Sequence, residues 1–364
     1  MDDSDIEIYF NEEGYCNHCV NYVENILPFL KKNNTKKLEE IVRKIKKKGK
    51  NNKYNCLIGV SGGTDSSYLV YLAKKYELRP LLLHVDTGWN SEIAISNLQK
   101  LQNIFGFQYE TYSVDTDKLR KAQLAFLRAS VPEIETPTDN ALLAILYKIA
   151  DRYNVKYILL ACNFVSEAIL PKTWHYNVKD LKYYKYILKN FGNDISLKDL
   201  PIISFKTEFY YKFIKRIKFL YPLNYINYNP IEARKILDQF GIKYYDQKHN
   251  ESISTGFVQR YILPKKFGID YRKATLSNKI CNGIITREEA LNILSKNIYE
   301  EDNIEQQINE YCKIMQLSRE EFNAIMNQPP KYYFNYPNNE KILNTLYNIY
   351  YFITRGFNYK KYSQ

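Results

Sequence analysis

Residues 61–67 read Ser61-Gly62-Gly63-Thr64-Asp65-Ser66-Ser67. Glycines that leave backbone N–H groups open, hydroxyls that donate hydrogen bonds and one carboxylate stand together here. An apolar run, residues 55–60, comes before them. A helical pattern follows, with Leu69, Leu72, Ala73 and Tyr76 on one face. Gly permits a tight turn and Ser or Thr caps a helix, so a lone Ser-Gly-Gly would need no further reading. Between a buried strand and an amphipathic helix, however, exposed N–H groups and the positive helix end make an anion cradle. The hydroxyls add donors for phosphate oxygens. Asp65 would repel a phosphate it touched directly, but it suits a Mg²⁺ ion that travels with phosphates. No Gly-Lys-Ser/Thr closes the turn, so this is not a Walker A loop.

Such a cradle needs strands and helices to hold it. Strands are expected over 55–60, 79–86, 108–114 and 155–162. Helical stripes lie between them, with Ala94, Leu98, Leu101 and Phe105 on one, and Leu142, Leu143, Leu146 and Ile149 on another. Strands separated by helices imply right-handed crossovers and a parallel sheet, which binds ligands at the carboxyl ends of its strands. Asp86 and Trp89 fall just past one such end, and Asn163 and Glu167 past another. His84 reads as a buried, hydrogen-bonded residue. Beyond about residue 170 the alternation fades into aromatic and basic residues. Helices are then expected near 230–240, 287–298, 302–314, 318–327 and 339–354.

The bulk properties agree with a folded protein. The chain has 364 residues, 45% of them hydrophobic, and a net charge of +12, which suits an anionic partner. Much of the basic excess sits in 31–53, read as a solvated helix and linker. The 6 Cys are scattered apart from Cys16 and Cys19, unlike a secreted disulfide framework. No apolar run approaches the ~20 residues that span a bilayer. The opening MDDSDIEIYF lacks a signal-peptide pattern, so the cytoplasm is the expected compartment. The expected organisation is an N-terminal cysteine-containing unit (1–30), a basic helix and linker (31–53), an α/β domain (54–170) and a mainly helical substrate or partner region (171–364).

The glycine turn resembles the PP-loop of ATP pyrophosphatases, which split ATP between the α and β phosphates. Outside the loop, residues 79–92, 124–142, 161–171, 222–228, 261–277 and 286–291 resemble N-acetyl sugar amidotransferases of O-antigen and pseudaminic- or legionaminic-type glycan pathways. The resemblance implies an adenine nucleotide alpha hydrolase-like, Rossmann-like fold. It also implies conversion of a sugar acetamido group to an acetamidino group through an O-adenylyl imidate, with ATP and Mg²⁺. Ser61, Gly62, Gly63, Thr64, Asp65, Ser66, Ser67 and Asp86 would then bind nucleotide. Asp65, Ser66, Asn163 and Glu167 would serve catalysis. Trp89, Asp139, Lys248, His249, Glu251, Lys265 and Lys266 are candidates for substrate binding. Asp139 reads equally as a helix cap, and Lys265–Lys266 as a solvated basic pair in a turn.

Cys16 and Cys19 have the spacing of a zinc knuckle but supply only two of four ligands. The resemblance implies a second Cys-x-x-Cys just upstream, which this chain lacks, so they are at most part of a Zn²⁺ site. None of the cysteines sits in a glutaminase elbow. Ammonia is therefore expected from partners resembling the two subunits of imidazole glycerol phosphate synthase. A PP-loop tRNA thiolase is the competing reading, with Cys162 the one thiol near the active edge. A binding-only module is a third.

Overall fold

The computed structural model describes residues 1–32, 34–244, 251–298 and 301–354. The apolar runs become parallel strands β1 (Cys56–Gly59), β2 (Pro80–Asp86), β3 (Gln108–Ser113) and β4 (Tyr157–Leu159), paired in the order β3-β2-β1-β4. β1 and β2 are almost wholly buried, because a parallel sheet covered on both faces leaves no polar side to alternate. A further strand, β5 (Lys218–Leu220), pairs in parallel with β4. The sheet therefore does not stop at residue 170.

Helices cover both faces. On one lie α1 (Thr35–Lys48), α2 (Thr64–Lys75) and α3 (Glu92–Phe105), which contribute Val42, Ile45, Leu69, Leu98 and Phe105 to a shared core. On the other lie α4 (Thr116–Arg128) and α5 (Thr136–Arg152), with Leu119, Ile145 and Ile149. The basic segment 31–53 is thus not a solvated linker. Its helix buries Leu38, Val42 and Ile45, and turns Lys36, Arg43, Lys44 and Lys47 outward.

β1 leads to β2 and β3 on one side, and the chain then crosses back to β4 and β5 on the other. The strand order reverses between β1 and β4, which opens a crevice at their carboxyl ends. The loop 60–63 leaves β1 there. The short helix α6 (Phe164–Glu167) starts just beyond β4.

The region after β4, apart from β5, is mainly helical. It contains α7 (Leu181–Phe191), α8 (Pro230–Asp238), α9 (Ile253–Phe257), α10 (Tyr271–Cys281), α11 (Arg287–Ser295), α12 (Glu301–Met315), α13 (Arg319–Asn327) and α14 (Glu340–Thr354). It shares a core with the sheet-bearing part, since Trp89, Leu124 and Leu127 pack with Phe257, Tyr311 and Phe322. A buried carboxylate locks α14 down. Glu208 accepts from Tyr347 of α14 at 3.0 Å and pairs with Lys179 at 2.9 Å and Lys212 at 2.8 Å. Burial alone would raise its pKa, but the two ammonium groups outweigh this and hold it at about 2. No helix among the described residues is long and apolar enough to cross a membrane.

Candidate functional site

Gly62 has a φ of +81°, the left-handed region where a side chain is strained. A Cβ there would lie 2.6 Å from the Ala94 carbonyl oxygen, at the start of α3. The Asn97 amide, fully buried on α3, donates to the Gly62 carbonyl at 2.8 Å and to that of Lys243 at 2.8 Å. Asn97, which the sequence did not single out, thereby clamps the turn from behind.

Gly63 precedes α2 and gives it no side-chain cap, so the N–H groups that begin a 12-residue helix stand at the turn beside Thr64 and Asp65. The hydroxyls divide into two kinds. Ser66 and Ser67 are buried and donate to the Gly63 carbonyl at 3.1 and 2.8 Å, and Ser66 also bonds Ser61 at 3.2 Å. Ser67 is fully enclosed and acts as an internal tie, a correction to its reading as a phosphate donor. Ser61 is exposed and Thr64 half-buried, so these two hydroxyls remain open to a ligand.

Asp65 lies on the first turn of α2. Asn163, past β4, donates to its Oδ2 at 2.9 Å, and the Tyr228 hydroxyl donates to its Oδ1. Burial and the Asp65 charge both raise the Tyr228 pKa, so Tyr228 stays a donor. Asn163 also caps α6 through the Ser166 N–H at 3.1 Å, and Glu167 ends that helix half-buried. The crevice between β1 and β4 is thus bridged by a carboxylate held on both oxygens, with lone pairs left for a cation. The open amides, the glycine approach and this single carboxylate fit a polyphosphate with a divalent ion, which needs few protein ligands.

Asp86 accepts from the Gly88 N–H at 2.9 Å and the Asn90 amide at 2.8 Å, and so shapes the turn after β2. Trp89 is not a wall of the site. Its ring is 3% exposed within the core, and its N–H donates to Gln123 at 3.0 Å. His84 is buried, with Nδ1 3.0 Å from the Val60 carbonyl oxygen, as expected. Residue 251 joins the site from far along the chain. Ser91 N–H donates to the Glu251 carbonyl at 2.9 Å, and Ile253 N–H to that of Trp89 at 2.8 Å. The Glu251 carboxylate then lies against Gly63, with Oε1 1.7 Å from where a Cβ would stand.

Other expectations fall elsewhere. Lys266 is no anion clamp. Its ammonium group donates to the carbonyls of Ile325 at 2.5 Å and Gln328 at 2.7 Å, closing the end of α13, and burial lowers its pKa. Lys265 is exposed. Lys248 and His249 lie outside the described residues. Asp139 does not cap α5, because that helix begins three residues earlier at Thr136. Asp139 is instead exposed, beside Glu135.

Residues 251–350 match the family described as LPS biosynthesis protein WbpG-like, C-terminal domain. This stretch is a WbpG-like C-terminal domain. The chain is 28% identical over 128 residues to an uncharacterized protein of Methanocaldococcus jannaschii, covering 34% of this chain and 43% of that one. It is 24% identical over 207 residues to a tRNA-specific 2-thiouridylase of Fusobacterium nucleatum, covering 54% of each. The chain thus spans about half the length of these curated relatives. Among solved structures, an NMN synthetase from Francisella tularensis aligns with a TM-score of 0.36 and 14% identity, over 78% of this chain and 97% of that one. A predicted subunit of tRNA methyltransferase from Methanocaldococcus jannaschii aligns with a TM-score of 0.30 and 15% identity, over 50% and 75%. The matched stretch begins at Glu251, the residue that lies against Gly63 of the glycine turn.

The cysteines are less scattered than the sequence implies. Cys16 and Cys19 have their sulfurs 3.4 Å apart, and Cys281, on α10 of the WbpG-like domain, is close enough to Cys19 to affect its titration. The neighbouring Cys19 lowers the Cys281 pKa, whereas the bond to Cys19 and burial raise that of Cys16. His18 turns instead to Asp5 at 2.6 Å. Among the described residues no group of Cys, His, Asp and Glu forms a metal-binding set. The three thiols therefore do not complete a structural zinc site, which takes four ligands. Elemental analysis of the purified protein is expected to find well under one zinc per chain. Stoichiometric zinc lost on Cys16→Ser would contradict this.

Proposed function

We propose that this protein is an ATP-dependent amidotransferase. It converts the N-acetyl group of a sugar to an acetamidino group and releases AMP and pyrophosphate. One observation carries the reading: the uncapped, glycine-lined start of α2 lies in the sheet's switch-point crevice beside Asp65, and a WbpG-like domain reaches that same turn through Glu251.

An amide carbonyl is a poor electrophile, so its oxygen must first be activated. Attack of that oxygen on the α-phosphorus of ATP gives an O-adenylyl imidate and pyrophosphate. Ammonia then adds to the imidate carbon and AMP leaves. The open N–H groups of α2 with Ser61 and Thr64 bind the departing phosphates, and Asn97 keeps the turn rigid. Asn163 and Tyr228 hold Asp65 in place. Mg²⁺, when bound, would offset charge on the leaving pyrophosphate, and Asp65 is the carboxylate placed to hold it. Glu251 closes the nucleotide side against the WbpG-like domain. Ammonia would come from a partner glutaminase and a channel subunit.

The test is incubation of acetamido nucleotide sugars with ATP, Mg²⁺ and ammonium, followed by mass spectrometry and nucleotide chromatography. Replacement of O by NH loses about one mass unit, with AMP as the nucleotide product. Glutamine should not replace ammonium until the partner pair is added. ADP as the main product, or efficient glutamine use by this chain alone, would overturn the reading. A tRNA thiolase is the second reading, supported by the 2-thiouridylase relative and by the exposed Cys162 beside Asn163. Under the amidotransferase reading Cys162→Ser leaves turnover within about twofold, whereas a thiolase would lose the 10²-fold or more that a catalytic thiol supplies.

A further inference from the structure

Gly63 holds the N-cap position of α2, where a Ser or Asp side chain would ordinarily accept from the first amides of the helix. Gly63 has no such side chain, and yet it is buried. The three atoms nearest to where its Cβ would stand all belong to Glu251, from far along the chain. The Glu251 carboxylate carbon lies 2.8 Å from that point, and Oε1 little more than one covalent bond length from it. This is the space that a capping side chain on residue 63 would fill. A carboxylate from the start of the matched C-terminal stretch thus stands in for the missing cap, at the end of α2 that favours negative charge.

The backbone that carries this carboxylate is fixed on both sides. The Ser91 N–H donates to the Glu251 carbonyl at 2.9 Å and the Ile253 N–H to the Trp89 carbonyl at 2.8 Å, with Ser252 opposite Asn90 in an antiparallel bridge. Asn90 is itself tied to Asp86 at 2.8 Å. Further on, Ser252 caps α9 through the Thr255 N–H at 3.2 Å, and Ser254 and Thr255 donate to Glu135 at 2.8 and 3.0 Å. Ser91 also caps α3, the helix whose Ala94 backs onto Gly62. One seat therefore supports both the glycine turn and the Glu251 backbone. Movement falls to the Glu251 side chain, which is half-buried and turns about single bonds.

A phosphate group and this carboxylate cannot share the turn, because like charges in contact repel strongly in a partly buried site. The phosphate brings more charge and more acceptor oxygens, so it is the stronger ligand for the start of a helix. We propose that Glu251 is a displaceable anion in the phosphate cradle. Its carboxylate rests on the start of α2 between turnovers, turns aside when the polyphosphate of the nucleotide seats, and returns as pyrophosphate leaves. The proposal rests on the reading of the glycine turn as a phosphate cradle, and it holds whichever sugar is the acceptor. Glycine at the cap with a remote carboxylate does what a fixed Ser or Asp cap cannot: it covers the helix end and still yields it. The carboxylate thereby lowers the affinity of the turn for pyrophosphate, the product that must depart from it.

Calorimetry with inorganic pyrophosphate on the full chain tests this, first without and then with Mg²⁺. Glu251→Gln keeps the size and removes the charge, and it is expected to bind pyrophosphate at least tenfold more tightly than the wild type in both conditions. Glu251→Ala, which also clears the space, should bind at least as tightly as Glu251→Gln. Thermal denaturation gives a second reading. Pyrophosphate at one fixed concentration should raise the melting temperature of each variant by more than it raises that of the wild type. Each protein is measured against its own baseline, so a variant that melts early still reports. A residue that only packs against the turn would, on substitution, leave pyrophosphate affinity unchanged or lower it. Equal or weaker binding by Glu251→Gln would therefore overturn the proposal and leave the cradle assigned. Weaker binding confined to the Mg²⁺ condition would also overturn it, and would make Glu251 a metal ligand. No pyrophosphate binding by any of the three proteins would refute the phosphate reading of the turn, and the proposal with it.

Discussion

Asp65→Ala is expected to lower AMP formation from ATP by roughly 10²-fold or more, the cost typical of removing one preorganised electrostatic contact at a site of developing charge. The geometry adds a second effect. The Tyr228 hydroxyl and Asn163 amide both donate to this carboxylate, and losing it leaves two donors without their acceptor inside the crevice. Each such group costs about 1–3 kcal/mol if it stays buried and unsatisfied, so the variant should also melt at lower temperature. Asp65→Asn separates the two effects. It keeps the size and one acceptor but removes the charge, so it should recover much of the thermal stability and little of the rate. Rates are read by chromatography of AMP, and stability by thermal denaturation. An Asp65→Asn variant as fast as the wild type would show that the charge has no part in ATP cleavage.

Gly62→Ala should be comparably damaging, for a different reason. A side chain at φ +81° is strained by about 1–3 kcal/mol, and the new Cβ would meet backbone: the Ala94 carbonyl oxygen at 2.6 Å and its Cα at 2.9 Å. Backbone at the start of α3 cannot swing aside as a side chain would, and Asn97 on the same helix holds the turn. The turn must shift, and misplacement of about 1 Å costs on the order of 10²-fold in a reaction that depends on positioning. Gly63→Ala offers the contrast. Its φ is −82°, which any residue adopts, and its new Cβ would meet only the far end of Glu251. Gly63→Ala should therefore be partly rescued by Glu251→Ala, and Gly62→Ala should not. Equal rescue of both would refute the account of the cradle given above.

The cradle itself was legible in the sequence because it is local. Strand, glycine turn and helix follow one another within about twenty residues, and hydrophobic periodicity together with glycine chemistry determines what that stretch becomes. The alternation of strands and helices likewise dictated a parallel sheet, and with it the edge where Asn163 would fall. β5 escaped notice, since three residues carry no periodicity and only pairing with β4 makes them a strand. Burial decided between residues of the same chemical type: Ser67 and Lys266 carry groups suited to phosphate, but one is enclosed and the other closes a helix end. Long-range contact decided the rest. Tyr228 reaches Asp65 from 163 residues away, and Ser254 reaches Glu135 from 119. Neither has a local signature, because a hydroxyl that accepts any nearby partner leaves no pattern in its own neighbourhood. Such pairings exist only once hydrophobic burial has folded the sheet and the WbpG-like domain onto a common core, where a polar group taken from water must find its partner in the protein.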